Sequence, residues 1–288
     1  MCEAQNAANP NGFASILTKP QRKILVPKSD SSLNALAKES FMNFLNELVR
    51  SAESANLSET LYNTLNVVGG FIALFFNFWY GKKLKIPFLK IIALTVIHIA
   101  VLLATMLFLC WVDTGFTYFG TKEISKGFIY SIPTAYLCSK AFKVKYGAVL
   151  NMFAITPLFV HAVARMGCLF TGCCYGYPCE WGFYSIRRMY NTFPVQIVEI
   201  LFLTLMIIVL TLISKKQKYA PNGRLMPIML ITYAILRFLT EFKRDNEKLW
   251  ENLSVVSLHC IFMLVVGVIF YYEMKRRNLC ATNEEQSS

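Results

Sequence analysis

The chain has 288 residues, 55% of them hydrophobic and only 16% charged, with nine cysteines and a formal net charge of +12. That balance excludes a disordered chain. It also excludes a small disulfide scaffold, since Cys2, Cys110, Cys138, Cys260 and Cys280 lie scattered in apolar runs or tails, where cysteine packs as a small hydrophobe. The basic residues come in short clusters between apolar runs, which points to a membrane and anionic lipid as partners, with no nucleic acid.

Residues 1 to about 30 are polar and hold no apolar core of a cleavable signal peptide, so the first spanning helix is expected to direct insertion. In "SSLNALAKESFMNFLNELVRS", Leu33, Leu36, Phe41, Phe44, Leu45 and Leu48 recur at helical spacing with charges between them. This predicts an amphipathic helix, either lying in the membrane interface or packed on the outer surface of the protein. Apolar runs of about 20 residues, the length that crosses a bilayer, follow at 62–80, 88–112, 125–141, 148–171, 194–213, 224–242 and 253–273. The expected fold is all-α: a polytopic membrane protein of about seven transmembrane helices plus the N-terminal amphipathic helix. Residues 1–61 form the tail and interfacial helix, 62–275 the transmembrane domain, and 276–288 a polar tail.

The connections set the orientation. Segments 81–90, 140–147, 214–224 and 274–278 carry fourteen basic residues and no acid, whereas 113–124, 173–193 and 243–252 carry six basic residues offset by Asp113, Glu123, Glu180, Asp245, Glu247 and Glu251. Positive-inside bias puts the first set and the C-terminus in the cytoplasm, and "RMGCLFTGCCYGYPCEWG", residues 165–182, on the outer face.

Ionisable groups inside spanning helices are expensive and mark functional sites. His161 and Arg165 are one turn apart on the fourth span, Gln196 and Glu199 share a face of the fifth, and Arg237, Glu241 and Arg244 form a stripe at the end of the sixth. All lie at the same depth as the cysteine loop. The forked guanidinium matches phosphate oxygens, and a phospholipid headgroup is the phosphate available there. His98 and His259 sit mid-helix and read as hydrogen-bonded core histidines. Cys168, Cys173, Cys174 and Cys179 offer a soft donor set for Zn²⁺ or Cu(I). The loop has no C-x-x-C, however, and adjacent cysteines rarely share one ion, so neither a metal nor another cofactor is expected. A disulfide of Cys173 or Cys174 with Cys179, or a reactive thiol beside the arginines, stays open.

These residues resemble the bacterial prolipoprotein diacylglyceryl transferase family over roughly 62–275. The family signature Arg-Ile-Gly-Asn-Phe-x-Asn-Gly-Glu, followed by a Gly, stands here as "RMGCLFTGCCYG", matching at Arg165, Gly167, Gly172 and Gly176. The pattern His-Pro-x-Gln-x-x-Glu stands as "FPVQIVE", keeping Pro194, Gln196 and Glu199, and the helix-six pattern keeps Gly223, Arg224, Leu225, Tyr233, Arg237, Phe238, Glu241 and Arg244. The resemblance implies transfer of diacylglycerol from phosphatidylglycerol, or a similar anionic phospholipid, to the lipobox cysteine of a preprolipoprotein at the outer face of the bacterial plasma membrane. It also implies the roles. Arg165, Arg237 and Arg244 bind phosphate, Glu241 orients Arg237, and Gly167, Gly172 and Gly176 shape the loop. Gln196 and Glu199 line the headgroup pocket, and His161 or Tyr130 handles the proton.

The chain departs from the family at Cys168, Thr171 and Cys173, which stand for Asn, Asn and Glu, and at Tyr130, which stands where a histidine is expected. The phosphate-holding residues therefore carry over better than the acceptor does. Two alternatives follow: a related lipid-modifying enzyme whose own Cys173 or Cys174 reacts, or a non-catalytic thiol- or metal-binding membrane protein on the same fold.

Overall fold

The computed structural model describes residues 40, 43, 44, 46, 47, 58–113, 115, 127–185, 189–245 and 253–287. In chain order these form α1 (Ser58–Lys83), α2 (Phe88–Asp113), α3 (Ser131–Ala141), α4 (Tyr146–Phe170), β1 (Pro178–Ser185), β2 (Tyr190–Thr192), α5 (Val195–Lys216), α6 (Leu225–Glu241) and α7 (Val255–Ser287). The described residues are thus mostly helical, and among them five helices, α1, α2, α4, α5 and α7, are long and apolar enough to cross a membrane.

The other two expected spans are shorter. With 11 residues, α3 reaches only about 16 Å at 1.5 Å per residue, against a hydrocarbon core of about 30 Å. It starts at Ser131 and not near 125 because residues 127–130 form a turn. That turn tucks Gly127 against Leu102 and buries the Phe128 ring beside Tyr233. The 17-residue α6 ends at Glu241, where the chain turns to meet the cysteine loop. The all-α expectation needs one addition: β1 and β2 pair antiparallel, with an irregularity between Pro178 and Phe183. The polar tail expected at 1–30 lies outside the described residues. The expected amphipathic helix is described as helical at Ser40, Asn43, Phe44, Asn46 and Glu47 alone; Asn46 Oδ1 accepts from the Tyr184 amide at 3.1 Å, at the hairpin end.

At the centre stands α4, buried without a break from Ala148 to Leu158 and packed against α1, α3, α5 and α6. Around it, Phe71, Phe75, Leu201, Leu205, Phe262 and Ile269 are exposed. So many bared large apolar side chains suit acyl chains and not water. Inside, polar groups pair across helices, as backbone-satisfied helices in lipid require. Asn77 Nδ2 donates to Thr156 Oγ1 at 2.8 Å and Thr95 Oγ1 at 3.1 Å, joining α1, α2 and α4. His98 is a core histidine, 2.8 Å from Ser131 Oγ and stacked on Phe153.

The basic connections gather at one end. Lys90 Nζ donates to the Phe142 carbonyl at 2.8 Å, and Asn151 Nδ2 donates to the Ala220 carbonyl at 3.1 Å. Gly147 abuts the Pro221 backbone, where a Cβ would collide, and Met274 lies against Gly223. The cysteine loop and the hairpin occupy the opposite end.

Candidate active site

The last three turns of α4 carry His161, Arg165 and Cys168, which share a face at this spacing. The first turns of α5 supply Gln196 and Glu199, and the last turn of α6 supplies Arg237, Thr240 and Glu241. Arg244 lies beyond α6, not on it. The turn is closed by Lys243 N donating to Thr240 O and Arg244 N donating to Glu241 O. A bridge to Gly176 then holds Arg244 back in line with the helix stripe.

These side chains converge on Glu199. Arg165 Nε lies 2.6 Å from its Oε2, Arg237 Nη1 lies 3.2 Å from Oε1, and Arg244 Nη2 lies 2.9 Å from both oxygens. Thr240 Oγ1 adds a contact at 3.3 Å. A second carboxylate, Glu241, sits 3.0 Å from Arg237 Nη1 and accepts from Ser254 Oγ at 2.8 Å. Arg237, Arg244, Glu199 and Glu241 are each no more than 4% exposed, and Arg165 is 9% exposed. Among the described residues, three guanidinium groups thus face two carboxylates in a buried cluster, a surplus of one cation before the neighbouring thiols are counted. Burying charge costs about several kcal/mol per ion unless it is compensated, and an anion would balance the surplus.

His161 is tied to the same cluster. Arg165 Nε donates to His161 Nε2 at 3.0 Å, and Tyr233 Oη lies 3.3 Å from Nδ1. An imidazole that accepts at Nε2 carries its proton on Nδ1, so its only lone pair is held by the guanidinium. Tyr130 is 43% exposed on the turn into α3. Phe128, two residues earlier, is the residue that packs on Tyr233 and His161.

The loop after α4 folds back over the cluster. Gly172 adopts φ +60 and Cys174 φ +62, the left-handed region that costs a residue with a Cβ about 1–2 kcal/mol. This double reversal brings the Sγ atoms of Cys168, Cys173 and Cys174 within 4.8 Å of one another and leaves Cys179 on β1 outside the group. Arg165 Nη1 points at the sulfurs, 3.5 Å from Cys174 and 3.9 Å from Cys168, and Thr171 Oγ1 lies 3.2 Å from Cys173 Sγ. Hydrogen bonds from the Cys168 and Cys173 thiols draw the Cys174 thiol well below its ordinary range, and the charges of Arg244 and Arg165 act the same way against burial.

Backbone bonds stitch the loop to the Arg244 segment: Tyr177 N donates to Lys243 O at 3.0 Å, and Asp245 N donates to Tyr175 O at 3.1 Å. Gly176 permits this seam, since a Cβ there would lie 2.6 Å from Phe193 O and 2.8 Å from Lys243 O. Gln196 Nε2 donates to the Cys173 carbonyl at 2.6 Å, and Gly167 lets Tyr62 of α1 close on α4. The gap beside His161, Glu199, Leu203, Tyr233 and Arg237 is too tight for a water molecule, and a crevice between the loop and the hairpin, bordered by Gly172, Phe183, Thr192 and Gln196, has room for about one.

Sequence spacing did not bring out Tyr233, Thr240 or Ser254 as partners of the cluster. Thr240 was legible as the residue one turn beyond Arg237. Ser254 follows Glu241 by thirteen positions, and nothing in the local pattern marks it.

The sequence is similar to proteins already known. The model of the family described as prolipoprotein diacylglyceryl transferase matches residues 106–273. A phosphatidylglycerol–prolipoprotein diacylglyceryl transferase of Dehalococcoides mccartyi is 30% identical over 145 residues, covering 46% of this chain and 53% of that protein. A protein of the same name from Finegoldia magna is 26% identical over 158 residues, covering 55% and 63%. A phosphatidylglycerol–prolipoprotein diacylglyceryl transferase 2 of Clostridium perfringens is 29% identical over 149 residues, covering 47% and 57%. The chain spans about half the length of the curated relatives it matches first.

Proposed function

Because the chain belongs to the prolipoprotein diacylglyceryl transferase family, we propose that it moves diacylglycerol from phosphatidylglycerol to a thiol acceptor, the lipobox cysteine of a prolipoprotein. The observation that carries this reading is the surplus guanidinium charge buried around Glu199. A phosphate charge about 4 Å from one guanidinium gains about 4 kcal/mol at an effective dielectric of about 20. The space beside the cluster is small, so the headgroup takes over Arg165 and Arg244 from Glu199 as it enters. Arg237 stays paired with Glu241 and is the fixed member.

In the transfer, the acceptor sulfur attacks the glyceryl carbon and forms a C–S bond as the C–O bond to phosphate breaks. The electron pair goes to the phosphate oxygen, and glycerol phosphate leaves. Guanidinium groups aimed at that oxygen stabilise charge where it develops, which is worth more in a site that excludes water. His161 takes the acceptor proton once the headgroup draws Arg165 from its lone pair, and Tyr130, exposed on the turn into α3, is the other side chain assigned to it. The loop glycines Gly172 and Gly176 let the backbone close over the headgroup, and Gln196 holds the loop through the Cys173 carbonyl.

In this reading α3, continued at its start by the turn at 127–130 that buries Gly127 and Phe128 in the protein, and α6 complete seven crossings of the membrane. The basic end and the C-terminus face the cytoplasm of a bacterial cell, and the cluster opens to the outer leaflet of the plasma membrane. Residues 62–275 form the transferase domain, with an interfacial helix before it. The test incubates the purified protein with labelled phosphatidylglycerol and a lipobox peptide. The expected result is a peptide mass increased by one diacylglyceryl group, absent with Arg165→Gln. No thioether product, where a known transferase gives one, rejects the lipoprotein acceptor. A diacylglyceryl adduct on the protein's own Cys173 or Cys174 would favour the alternative in which these thiols react.

A further inference from the structure

The three clustered thiols are not explained by phosphate binding. We propose that Cys168, Cys173 and Cys174 form a three-thiolate zinc site with an open fourth position, at which the acceptor thiol binds and loses its proton; the zinc site stands alone, and its use in transfer rests on the function proposed above.

The geometry points to one soft ion shared by three sulfurs. Their Sγ atoms lie within 4.8 Å of one another. Zn–S bonds of about 2.3 Å in a tetrahedral site need sulfurs about 3.8 Å apart, a closure within reach of side-chain rotation. Neighbouring cysteines seldom share an ion because an extended backbone sends them to opposite sides. Here the left-handed φ of Cys174 turns its thiol to the side of Cys173, and the positive φ of Gly172 returns both towards Cys168 on α4. A disulfide would use two of the sulfurs and leave the third unexplained.

The surroundings suit an anionic metal–thiolate group. Arg165 Nη1 is aimed at two of the sulfurs and Thr171 Oγ1 at the third, the outer hydrogen bonds that hold metal ligands in place. Cys173 and Cys174 are half-buried, so the cluster is not sealed.

Three protein ligands with one position open is the arrangement of catalytic zinc. A thiol that coordinates the ion is deprotonated outright, so the acceptor R–SH gives its proton to water and remains as a bound thiolate. That sulfur's electron pair forms the C–S bond while the C–O pair leaves on glycerol phosphate. The resulting thioether, a neutral and weak ligand, departs, and nothing is oxidised or reduced. This gives the acceptor a route to its thiolate besides the one through His161, whose lone pair must first be given up by Arg165.

The experiment titrates the reduced, full-length protein in detergent with Zn²⁺ and, in parallel, with Co²⁺ as a spectroscopic stand-in. We expect one ion per chain, a sulfur-to-cobalt charge-transfer band, and visible bands of tetrahedral cobalt that shift when a lipobox peptide thiol is added. Arg165→Gln should weaken the ion by about 10- to 100-fold. Cys168→Ser, Cys173→Ser and Cys174→Ser should each weaken it further, while Cys179→Ser leaves it unchanged, with helical circular dichroism confirming that every variant folds. Failure of the reduced wild-type protein to bind Zn²⁺ or Co²⁺ overturns the site, including the case where only a disulfide or Cu(I) binding is found. Cobalt bands that ignore the peptide thiol overturn the activation step. Because neither readout uses lipid or turnover, absence of transferase activity with the metal bound would count against the proposed function and leave the zinc site standing.

Discussion

Two buried polar networks lie in the same bundle and differ in one respect. Asn77, Thr95 and Thr156 are neutral and hydrogen-bonded across α1, α2 and α4. Around Glu199, three guanidinium groups share two carboxylates, and the loop of thiols leans on the result. The first network closes on itself and asks for nothing further. The second is short of one negative charge, although each of its arginines is paired. Glue and site are distinguished here by charge balance, since both networks are buried.

The largest expected effect comes from deepening the imbalance. Glu199→Ala strips the anion from three arginines, and breaking a buried pair in this way costs about 3–5 kcal/mol; unfolding followed in detergent should show that loss. Arg165→Gln removes one guanidinium and should lower transfer by about 100- to 1000-fold while shifting stability less than Glu199→Ala does. Gly176→Ala touches neither charge. It forces the seam between Tyr177 and Lys243 apart, at about 1–3 kcal/mol of overpacking, and should lower transfer by displacing Arg244, with helical content retained. Thr156→Val, in the neutral network, should cost about 0.6–1.7 kcal/mol of stability and leave transfer unchanged. If Thr156→Val impairs transfer as much as Arg165→Gln does, the division between the two networks fails.

Much of this was legible beforehand. The apolar runs located the helices, because a segment that satisfies its own backbone in lipid has few other options. The spacing of His161 with Arg165, and of Arg237 with Glu241, put the ionic groups at one depth. What the spacing concealed was geometry beyond a single helix. The sequence suggested that Glu241 serves Arg237 and that Glu199 lines a pocket, yet Glu199 is the hub for all three arginines, a relation across α4, α5 and α6. The short α3 was hidden because an apolar run does not reveal that Phe128 turns inward before the helix starts. The thiol triad was hidden for a similar reason: adjacency argued against Cys173 and Cys174 facing one point, and two left-handed residues reverse that. The hairpin left no alternating pattern strong enough to read, since Gly182 and Pro178 interrupt it.

The most direct measurement is of lipid retained by the purified protein, by native mass spectrometry, after exposure to vesicles of phosphatidylglycerol mixed with phosphatidylcholine. A cluster with one guanidinium in surplus should hold phosphatidylglycerol over the zwitterionic lipid and lose that preference in the Arg165→Gln and Arg244→Gln variants. Equal retention of both lipids by the wild type, or an unchanged preference in the two variants, would contradict the account.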